Sequence, residues 1–351
     1  MSSRPRTARR VRATFVLTGL LSGVVVACGG SDANPDPVAR ARAERAAERP
    51  FAATGVWNSR LRADAPLDPS SNALVASLNR EVANAIKIRY GPTVNTIQYS
   101  TPVYTVSRHQ RRVRVTLDNP AGYARSLRRA IASVPIPRRA KPARGSDAHM
   151  VIWQPSTDTM WEFWKMQRRA DGWHARSAGK MPSVSRNPGY FAGPSGFPWG
   201  ATASSLPLLG GLMRPSELRR GRIDHALALA IPHPRGGTWS FPAQRTDGFA
   251  REPDAIPEGA RFRLDPRVNV DDLHLPRPLR AMAVAAQRYG IIVRDTAATV
   301  VFYAEDPSTM RRNPYPKIFG RQPMYRLLSR FPWNKLQVLK MDLRTYRGPG
   351  N

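Results

Sequence analysis

The chain has 351 residues and a formal net charge of +30, from 55 lysines and arginines against 25 aspartates and glutamates. Its single cysteine excludes an internal disulfide framework, and its 33 prolines argue against a fold built from long helices. The positive field favours anionic partners, such as acidic polysaccharides, wall polymers, lipid head groups or nucleic acid.

Residues 1–27 have the organisation of a bacterial signal peptide. Five arginines precede an uncharged, mostly apolar run of about 15 residues, shorter than the roughly 20 that a membrane-spanning helix needs. The run leads into "VVAC", which resembles the lipobox of bacterial lipoproteins and predicts a lipidated Cys28. Because two acyl chains anchor a protein stably, we expect a lipid-anchored protein on the extracytoplasmic face of the cell membrane. An ordinary signal peptide with an incidental cysteine is the alternative.

The rest of the chain is predicted to divide into a tether and one domain. Residues 28–50 are small, polar and charged, a composition typical of a flexible linker. Residues 51–351 are expected to form a single β-rich extracytoplasmic domain. The membrane and a polysaccharide or anionic wall polymer are the expected partners. No nucleic-acid partner is expected, because an exported lipoprotein seldom meets nucleic acid.

The first predicted elements of the domain are one helix and a group of short strands. Leu74, Leu78 and Val82 recur at helical spacing within residues 67–86. Alternating and β-branched residues over 95–118 predict strands. A short basic helix and a proline-rich basic loop then lead to "HMVIW" and "TMWEFWKM", which are expected to form a hairpin around "QPSTDT".

The second half of the domain combines irregular and regular stretches. Residues 172–213 are rich in Gly, Pro and Ser and are expected to be one long surface loop. A short helix follows, with Pro215 in its first turn and Gly221 at its end. Strands, a helix closing at Gly290 and a hairpin over residues 291–306 complete the prediction. The expected fold class is mainly β with peripheral helices (α+β), as a β-sandwich or a partly closed barrel.

Asp147 and His149 are the first candidate catalytic residues. They are two residues apart, so on a strand both side chains project from one face, where the carboxylate can orient the imidazole and raise its pKa. A hairpin symmetric about "PSTD" pairs position 151 with Glu162 and adds that carboxylate to the His149 face. A slip of one residue would move Glu162 to the opposite face. The structural alternative is a loop cap at Asp147 and a backbone hydrogen bond at His149.

His225 is the fourth candidate catalytic residue. It is in phase with the apolar positions of "RIDHALALAIP", so its side chain is expected on the buried face. Convergence of His149 and His225 would give a general acid–base pair, whereas the alternative is a satisfied core histidine. No metal-binding motif, serine-nucleophile elbow or phosphate loop occurs, so no metal and no cofactor are expected. A zinc site from the dispersed His149, His174 and His225 is the alternative.

Aromatic residues supply the candidate binding surface. Trp173, Tyr190 and Trp199 belong to the expected long loop, where flat rings can stack on sugars while Arg214 holds an anionic group. We predict that these four residues bind substrate and that Tyr190 and Trp199 are exposed. The alternative, favoured for the tryptophans of the hairpin, is that the aromatic rings fill the core.

Several blocks of the sequence resemble a family of secreted or lipid-anchored bacterial proteins of uncharacterised function. The resemblance covers roughly residues 147–306, through "DAHMVIW", "MWEFW" followed by "GWHA", "WGATASSLPLLGGLMRPSELRRGRIDHALALAIP" and "QRYGIIVRDTA". It implies a common exported domain and brings no activity with it.

Two functions are compatible with these features. One is a carbohydrate-active enzyme, a glycoside hydrolase or polysaccharide lyase, acting on wall or environmental polysaccharide. Its acid–base pair would be drawn from Asp147, His149, Glu162 and His225. The other is a non-catalytic envelope lipoprotein that binds glycan or a partner through the same surface.

Overall fold

The structure, a computed structural model, describes residues 49–118, 124–191 and 199–346. The predicted signal peptide, Cys28 and almost all of the tether lie outside the described residues. Within the described ranges there are six α-helices and 15 strands, so the fold is mixed α/β with strands predominating. No helix in this part of the chain is long and apolar enough to cross a membrane.

The helices and strands have the following bounds. The helices are α1 (Ser71–Lys87), α2 (Ala124–Ala130), α3 (Pro215–Arg220), α4 (Arg277–Arg288), α5 (Tyr315–Phe319) and α6 (Met324–Leu328). The strands are β1 (Thr93–Asn95), β2 (Val103–Thr105), β3 (Val115–Leu117), β4 (Met150–Gln154), β5 (Thr159–Trp164), β6 (Gln167–Arg169), β7 (Gly172–Ala175), β8 (Ser177–Pro182), β9 (Leu227–Ile231), β10 (Thr238–Ser240), β11 (Arg261–Leu264), β12 (Ile291–Thr296), β13 (Val301–Tyr303), β14 (Leu336–Val338) and β15 (Leu343–Thr345).

The strands form four sheets. The largest has six strands in the order β1-β13-β9-β12-β11-β14, in which β9 is parallel to β12 and antiparallel to β13. A four-stranded sheet has the order β2-β4-β5-β8, a three-stranded sheet β3-β7-β6 and a two-stranded sheet β10-β15. None of these sheets closes into a barrel within the described ranges. The expected mainly β architecture with peripheral helices is confirmed.

The six-stranded sheet lies between two apolar cores. Leu229 of β9 points into a core that α1, α3 and α4 cover, whereas its neighbour Ala228 points to the opposite side. That opposite core also contains Trp153 of β4, so the six-stranded and four-stranded sheets share it. On its other face the four-stranded sheet places Ile152 in a third core with the three-stranded sheet and α2. The space between the two large sheets is where the candidate site forms.

Helix α1 forms as its sequence periodicity predicts. Leu74, Leu78 and Val82 are buried and pack into the core that covers one face of the six-stranded sheet. Burial of each such side chain contributes about 1.5–3 kcal/mol, which outweighs the weak helix propensity of the β-branched Val82.

Two predictions about connectivity are wrong. The segment over residues 291–306 is not a hairpin, because β9 lies between β12 and β13 and pairs with both. The expected loop over residues 172–213 begins with two strands, β7 and β8, which pair with β3, β6 and β5. In both places partners distant in sequence determine the pairing, and the local pattern does not identify them.

Candidate functional site

A cavity of about 370 Å³ lies where the approach to β4, the end of β12 and the β10–β11 connection meet. Asp147 and His149 line it from the β4 side, Asp295 from β12, and Arg245 and Asp247 from the β10–β11 connection. A volume of this size falls within the range of roughly 300–1,000 Å³ that is usual for small-molecule sites. The cavity is therefore the candidate functional site.

The hairpin that leads from this cavity has the register expected from its sequence. Strands β4 and β5 are antiparallel, and Val151 pairs with Glu162. Since side chains alternate along a strand, Glu162 projects on the same side of the sheet as Val151 and Trp153. The predicted pairing of position 151 with Glu162 is confirmed, but Glu162 does not join His149 in the lining of the cavity.

The imidazole of His149 is buried and has no hydrogen bond of normal geometry. The residue is 3% exposed, and the backbone of Ala201 lies close enough to raise the pKa of the ring although no contact of either nitrogen has normal hydrogen-bond geometry. Burial lowers the pKa of His149 to about 4, although the nearby charge of Asp147 opposes this shift. The ring is therefore neutral at pH 7, and it borders the cavity although both of its nitrogens are buried. The expected rise in its pKa is wrong, because desolvation outweighs the carboxylate.

The Asp147 carboxylate does not hold His149 in place. Its Oδ1 instead accepts a hydrogen bond from the indole N–H of Trp164 at 3.1 Å. Ala148, between the two residues, has a positive φ of 43°, and β4 begins only at Met150. The extended geometry that would align the side chains of residues 147 and 149 is thus absent. Both side chains nevertheless line the same cavity.

Glu162 is fully buried and anchors a neighbouring segment. Its Oε1 accepts the backbone N–H of Ala201 at 2.7 Å, and its Oε2 accepts that of Leu208 at 2.8 Å. Burial raises the pKa of Glu162 to about 7, although these donors and the charge of Arg294 oppose the shift. Ala201 lines the cavity, whereas Glu162 itself does not. The carboxylate therefore positions one cavity wall.

Arg294 is a fully buried cation that sequence reasoning missed. Its Nη1 donates to the carbonyl oxygens of Leu208 at 2.9 Å and Gly210 at 3.1 Å, and its guanidinium carbon lies 4.0 Å from the ring centroid of Tyr303. Its charge lowers the pKa of both His149 and Glu162. The sequence indicates this residue through an arginine inside the apolar strand "IIVRDT", because a buried charge requires hydrogen-bond or ion-pair partners.

Three carboxyl groups lie close to one another at or beside the cavity, since Asp247 and Asp295 line it and Glu258 is near enough to feel the charges of both. A bulge between Val293 and Asp295 interrupts the pairing of β12 with β9. Burial raises the pKa of Asp295 to about 7, and the nearby Asp247 adds to this rise while Arg294 opposes it. Burial, together with Asp295 and Asp247, also raises the pKa of the fully buried Glu258. Sequence reasoning missed these three residues, which are isolated acids in separate stretches of the chain.

His225 lies in a different environment and does not line the cavity. Its Nε2 is 3.2 Å from Oε2 of Glu217, and its Nδ1 is 2.8 Å from the carbonyl oxygen of Ala226. Burial alone lowers the pKa of His225, but the charge and hydrogen bond of Glu217 outweigh it, so the pKa is raised. His149 and His225 do not share this cavity, and the alternative of a satisfied core histidine describes His225, because α3 brings Glu217 to it within the core.

His149, His174 and His225, the residues of the alternative zinc site, do not come together. His174 lies 2.8 Å from Asp118 and 3.0 Å from Asp171, apart from the surroundings of both His149 and His225. Across the described ranges no three His, Cys, Asp or Glu side chains form a group that could hold a metal ion.

The four predicted binding residues lie outside this cavity. Tyr190 and Trp199 are half-buried, not exposed, because their rings pack against the core between the two large sheets. Tyr190 also makes an edge-to-face contact with Phe241 at 5.2 Å. Trp173 is 7% exposed and belongs to the third core. Arg214 is buried and forms an ion pair with Glu305 at 2.9 Å.

Comparison with protein-family models, with curated proteins and with solved structures finds no match for this chain. The site is therefore interpreted from its own chemistry. A neutral imidazole and a carboxyl group with a pKa of about 7 line one cavity. Such an arrangement can accept one proton and donate another at neutral pH.

Proposed function

We propose that the protein is a lipid-anchored cell-envelope enzyme that cleaves polysaccharide by acid–base chemistry in this cavity. The observation that carries the proposal is the presence of His149 and Asp295 in one cavity, with pKa values moved in opposite directions by burial. In an acid–base pair, the two groups usually lie in environments that shift their pKa values in opposite directions.

His149 is assigned as the base and Asp295 as the acid. The neutral imidazole can take a proton from the substrate or from water, and the protonated carboxyl can give one to the leaving oxygen. Asp147 supports both roles, because its charge raises the pKa of His149 and of Asp295 and so favours their protonated forms. These assignments keep Asp147 and His149 from the sequence prediction and replace Glu162 and His225 with Asp295.

Glu162 and Arg294 are assigned as positioning residues. Both hold Leu208 through its backbone, and Glu162 also holds Ala201 at the cavity wall. Neither lines the cavity, so neither touches the substrate.

Polysaccharide is proposed as the substrate class on two grounds. Trp164 and the exposed Arg176 line the cavity, and an indole with a cation beside it suits a sugar ring that carries an anionic group. The proposed anchor at Cys28 would hold the cavity in the envelope, where such polymers occur. We also propose that the two large sheets form a β-sandwich, which their shared core supports.

The test is cleavage of a panel of neutral and acidic polysaccharides by the wild type and by cavity variants. Release of reducing ends reports cleavage, and ultraviolet absorbance of an unsaturated product distinguishes a lyase from a hydrolase. His149→Ala and Asp295→Asn should each lower the rate on a cleaved polysaccharide by about 100-fold or more.

Two exposed positions outside the cavity provide matched controls. His233→Ala and Asp64→Asn should leave the rate unchanged, since their side chains are 58% and 68% exposed and lie away from the site. Full activity in both cavity variants would contradict the proposal. Binding of a glycan without turnover by the wild type, lost in the cavity variants, would assign the cavity to a glycan-binding protein instead.

A further inference from the structure

We infer that a second surface, separate from the cavity, binds linear polysaccharides that carry carboxylate groups. This basic groove consists of two adjoining depressions of about 630 and 1340 Å³ that share Arg139, Ala140, Lys141 and Pro142. No residue of the basic groove lines the cavity described above. It contains much of the proline-rich basic loop, to which the proposed function gives no role.

The charge of the basic groove is almost entirely positive. Its lining includes seven exposed cations, which are Arg138, Arg139, Lys141, Arg144, Arg168, Arg311 and Arg312. None of the seven forms an ion pair with a carboxylate in the part of the chain that the structure describes. Two carboxylates line the second depression, but Glu305 pairs with Arg214 at 2.9 Å and Asp306 accepts a hydrogen bond from Ser100 at 2.6 Å. An anionic polymer would supply the missing counter-charges.

The first depression combines its cations with an apolar lining. Ala140, Pro142 and Trp173 contribute apolar atoms between the charged side chains. Arg168 is held in place, since its guanidinium carbon lies 5.9 Å from the ring centroid of Trp173 and its Nη1 donates to the Arg138 carbonyl at 3.0 Å. Apolar atoms beside cations suit a sugar ring that has a C–H face and a carboxylate. Polyphosphate has no such apolar face, and a bilayer surface is too flat to enter a concave groove.

The backbone of the basic groove is held at Lys141 before any ligand binds. The Tyr104 hydroxyl donates to the carbonyl oxygen of Lys141 at 2.9 Å and accepts its backbone N–H at 2.7 Å. This double contact holds the loop at Lys141, which lowers the cost of ordering that segment when a polymer binds. The inference does not depend on the proposed function, since it concerns binding outside the cavity.

The experiment measures the Kd of fluorescently labelled polygalacturonate for the purified full-length protein in detergent. The groove variant is Arg138→Gln/Arg139→Gln/Lys141→Gln. The matched control is Lys87→Gln/Arg321→Gln/Lys340→Gln, which removes the same charge from exposed positions outside both depressions. Loss of three exposed charge contacts should weaken binding about tenfold in the groove variant, against less than about threefold in the control.

Three further measurements separate this surface from the cavity and from other anions. His149→Ala should bind polygalacturonate as the wild type does, dextran should not bind, and wild-type affinity should fall as salt is added. Equal weakening in both triple variants, unchanged binding in the groove variant, or loss of binding in His149→Ala would overturn the inference. So would a groove variant that loses binding to polyphosphate or to phosphatidylglycerol vesicles while polygalacturonate binding stays unchanged.

Discussion

The indole N–H of Trp164 donates a hydrogen bond to Oδ1 of Asp147 at 3.1 Å. This contact engages the carboxylate at the cavity wall, so Asp147 makes no hydrogen bond of normal geometry to the ring of His149. Asp147 still acts on His149 through its charge, which raises the pKa of the imidazole. In the proposed reaction it would therefore stabilise the imidazolium that forms when His149 takes a proton.

His149→Ala should change the free energy of unfolding by less than about 1 kcal/mol, because the ring borders a cavity and makes no hydrogen bond of normal geometry. His225→Ala is the contrasting variant, since it removes the imidazole that pairs with the buried Glu217, which still accepts the backbone N–H of Arg214, and it should lower stability by about 2–4 kcal/mol. Urea denaturation of both variants measures the difference. Equal destabilisation would mean that His149 holds the core together, and its assignment to the site would fail.

Glu162→Gln should lower the free energy of unfolding by about 1–3 kcal/mol, because one amide oxygen cannot accept both backbone N–H groups. Hydrogen exchange at the amides of Ala201 and Leu208 should become faster in the variant. The control is the exposed Glu252→Gln, for which neither change is expected. Unaltered protection of both amides would show that Glu162 does not position the cavity wall.

Arg294→Met should raise the pKa of His149, because the guanidinium charge lowers it in the wild type. Titration of the His149 ring protons by nuclear magnetic resonance measures the shift. The matched control is Arg267→Met, whose side chain is 85% exposed and whose removal should leave the titration unchanged. A titration identical in Arg294→Met and wild type would rule out the assigned coupling.

Asp295→Asn should become more stable relative to the wild type as pH rises from about 4 to 7. Burial raises the pKa of Asp295 from 3.8 to about 7, so the folded protein keeps a proton that the unfolded chain releases in this window. Wild-type stability therefore falls as pH rises through the window, and asparagine removes this loss. The gain should reach at least about 1 kcal/mol at pH 7, measured by urea denaturation at each pH.

The titration of His149 changes stability with pH in the opposite direction to that of Asp295. The prediction is therefore stated as the difference in stability between Asp295→Asn and the wild type. Its lowered pKa means that stability is lost as pH falls from about 6.5 towards 4. Wild type and Asp295→Asn both contain His149, so their difference reports mainly Asp295 together with Glu258, whose pKa Asp295 raises. Parallel stability curves for the two proteins would contradict a raised pKa at Asp295.

Cys28→Ser should move the protein from the membrane fraction to the soluble fraction, or leave it as an unprocessed precursor. The sequence predicts that the anchor is two acyl chains on this cysteine, and their loss removes most of the membrane affinity. Fractionation followed by immunoblotting measures the outcome. Unchanged membrane association of the variant would contradict the predicted anchor.

The β4–β5 hairpin and helix α3 were determined by their local sequence. Val151 pairs with Glu162 because a shift of one residue would exchange the two faces of the strands. Helix α3 begins at Pro215 and ends at Arg220, and the following Gly221 closes it with a φ of 74° that suits glycine. Both features depend on the steric and hydrogen-bonding preferences of residues close together in the chain, so periodicity and residue type were enough to predict them.

Only the tertiary structure decided which side chains share the cavity. Asp147 and His149 meet Asp295 there because β4 and β12 belong to different sheets that face one another. His225 could serve as an acid or base by its residue type, but its imidazole pairs with Glu217 and does not line the cavity. The strand pattern specifies the face from which a side chain projects, but the segment opposite it is brought there by long-range packing. Burial and the charges of that segment then set the pKa of the group, and with it the chemistry that the residue can perform.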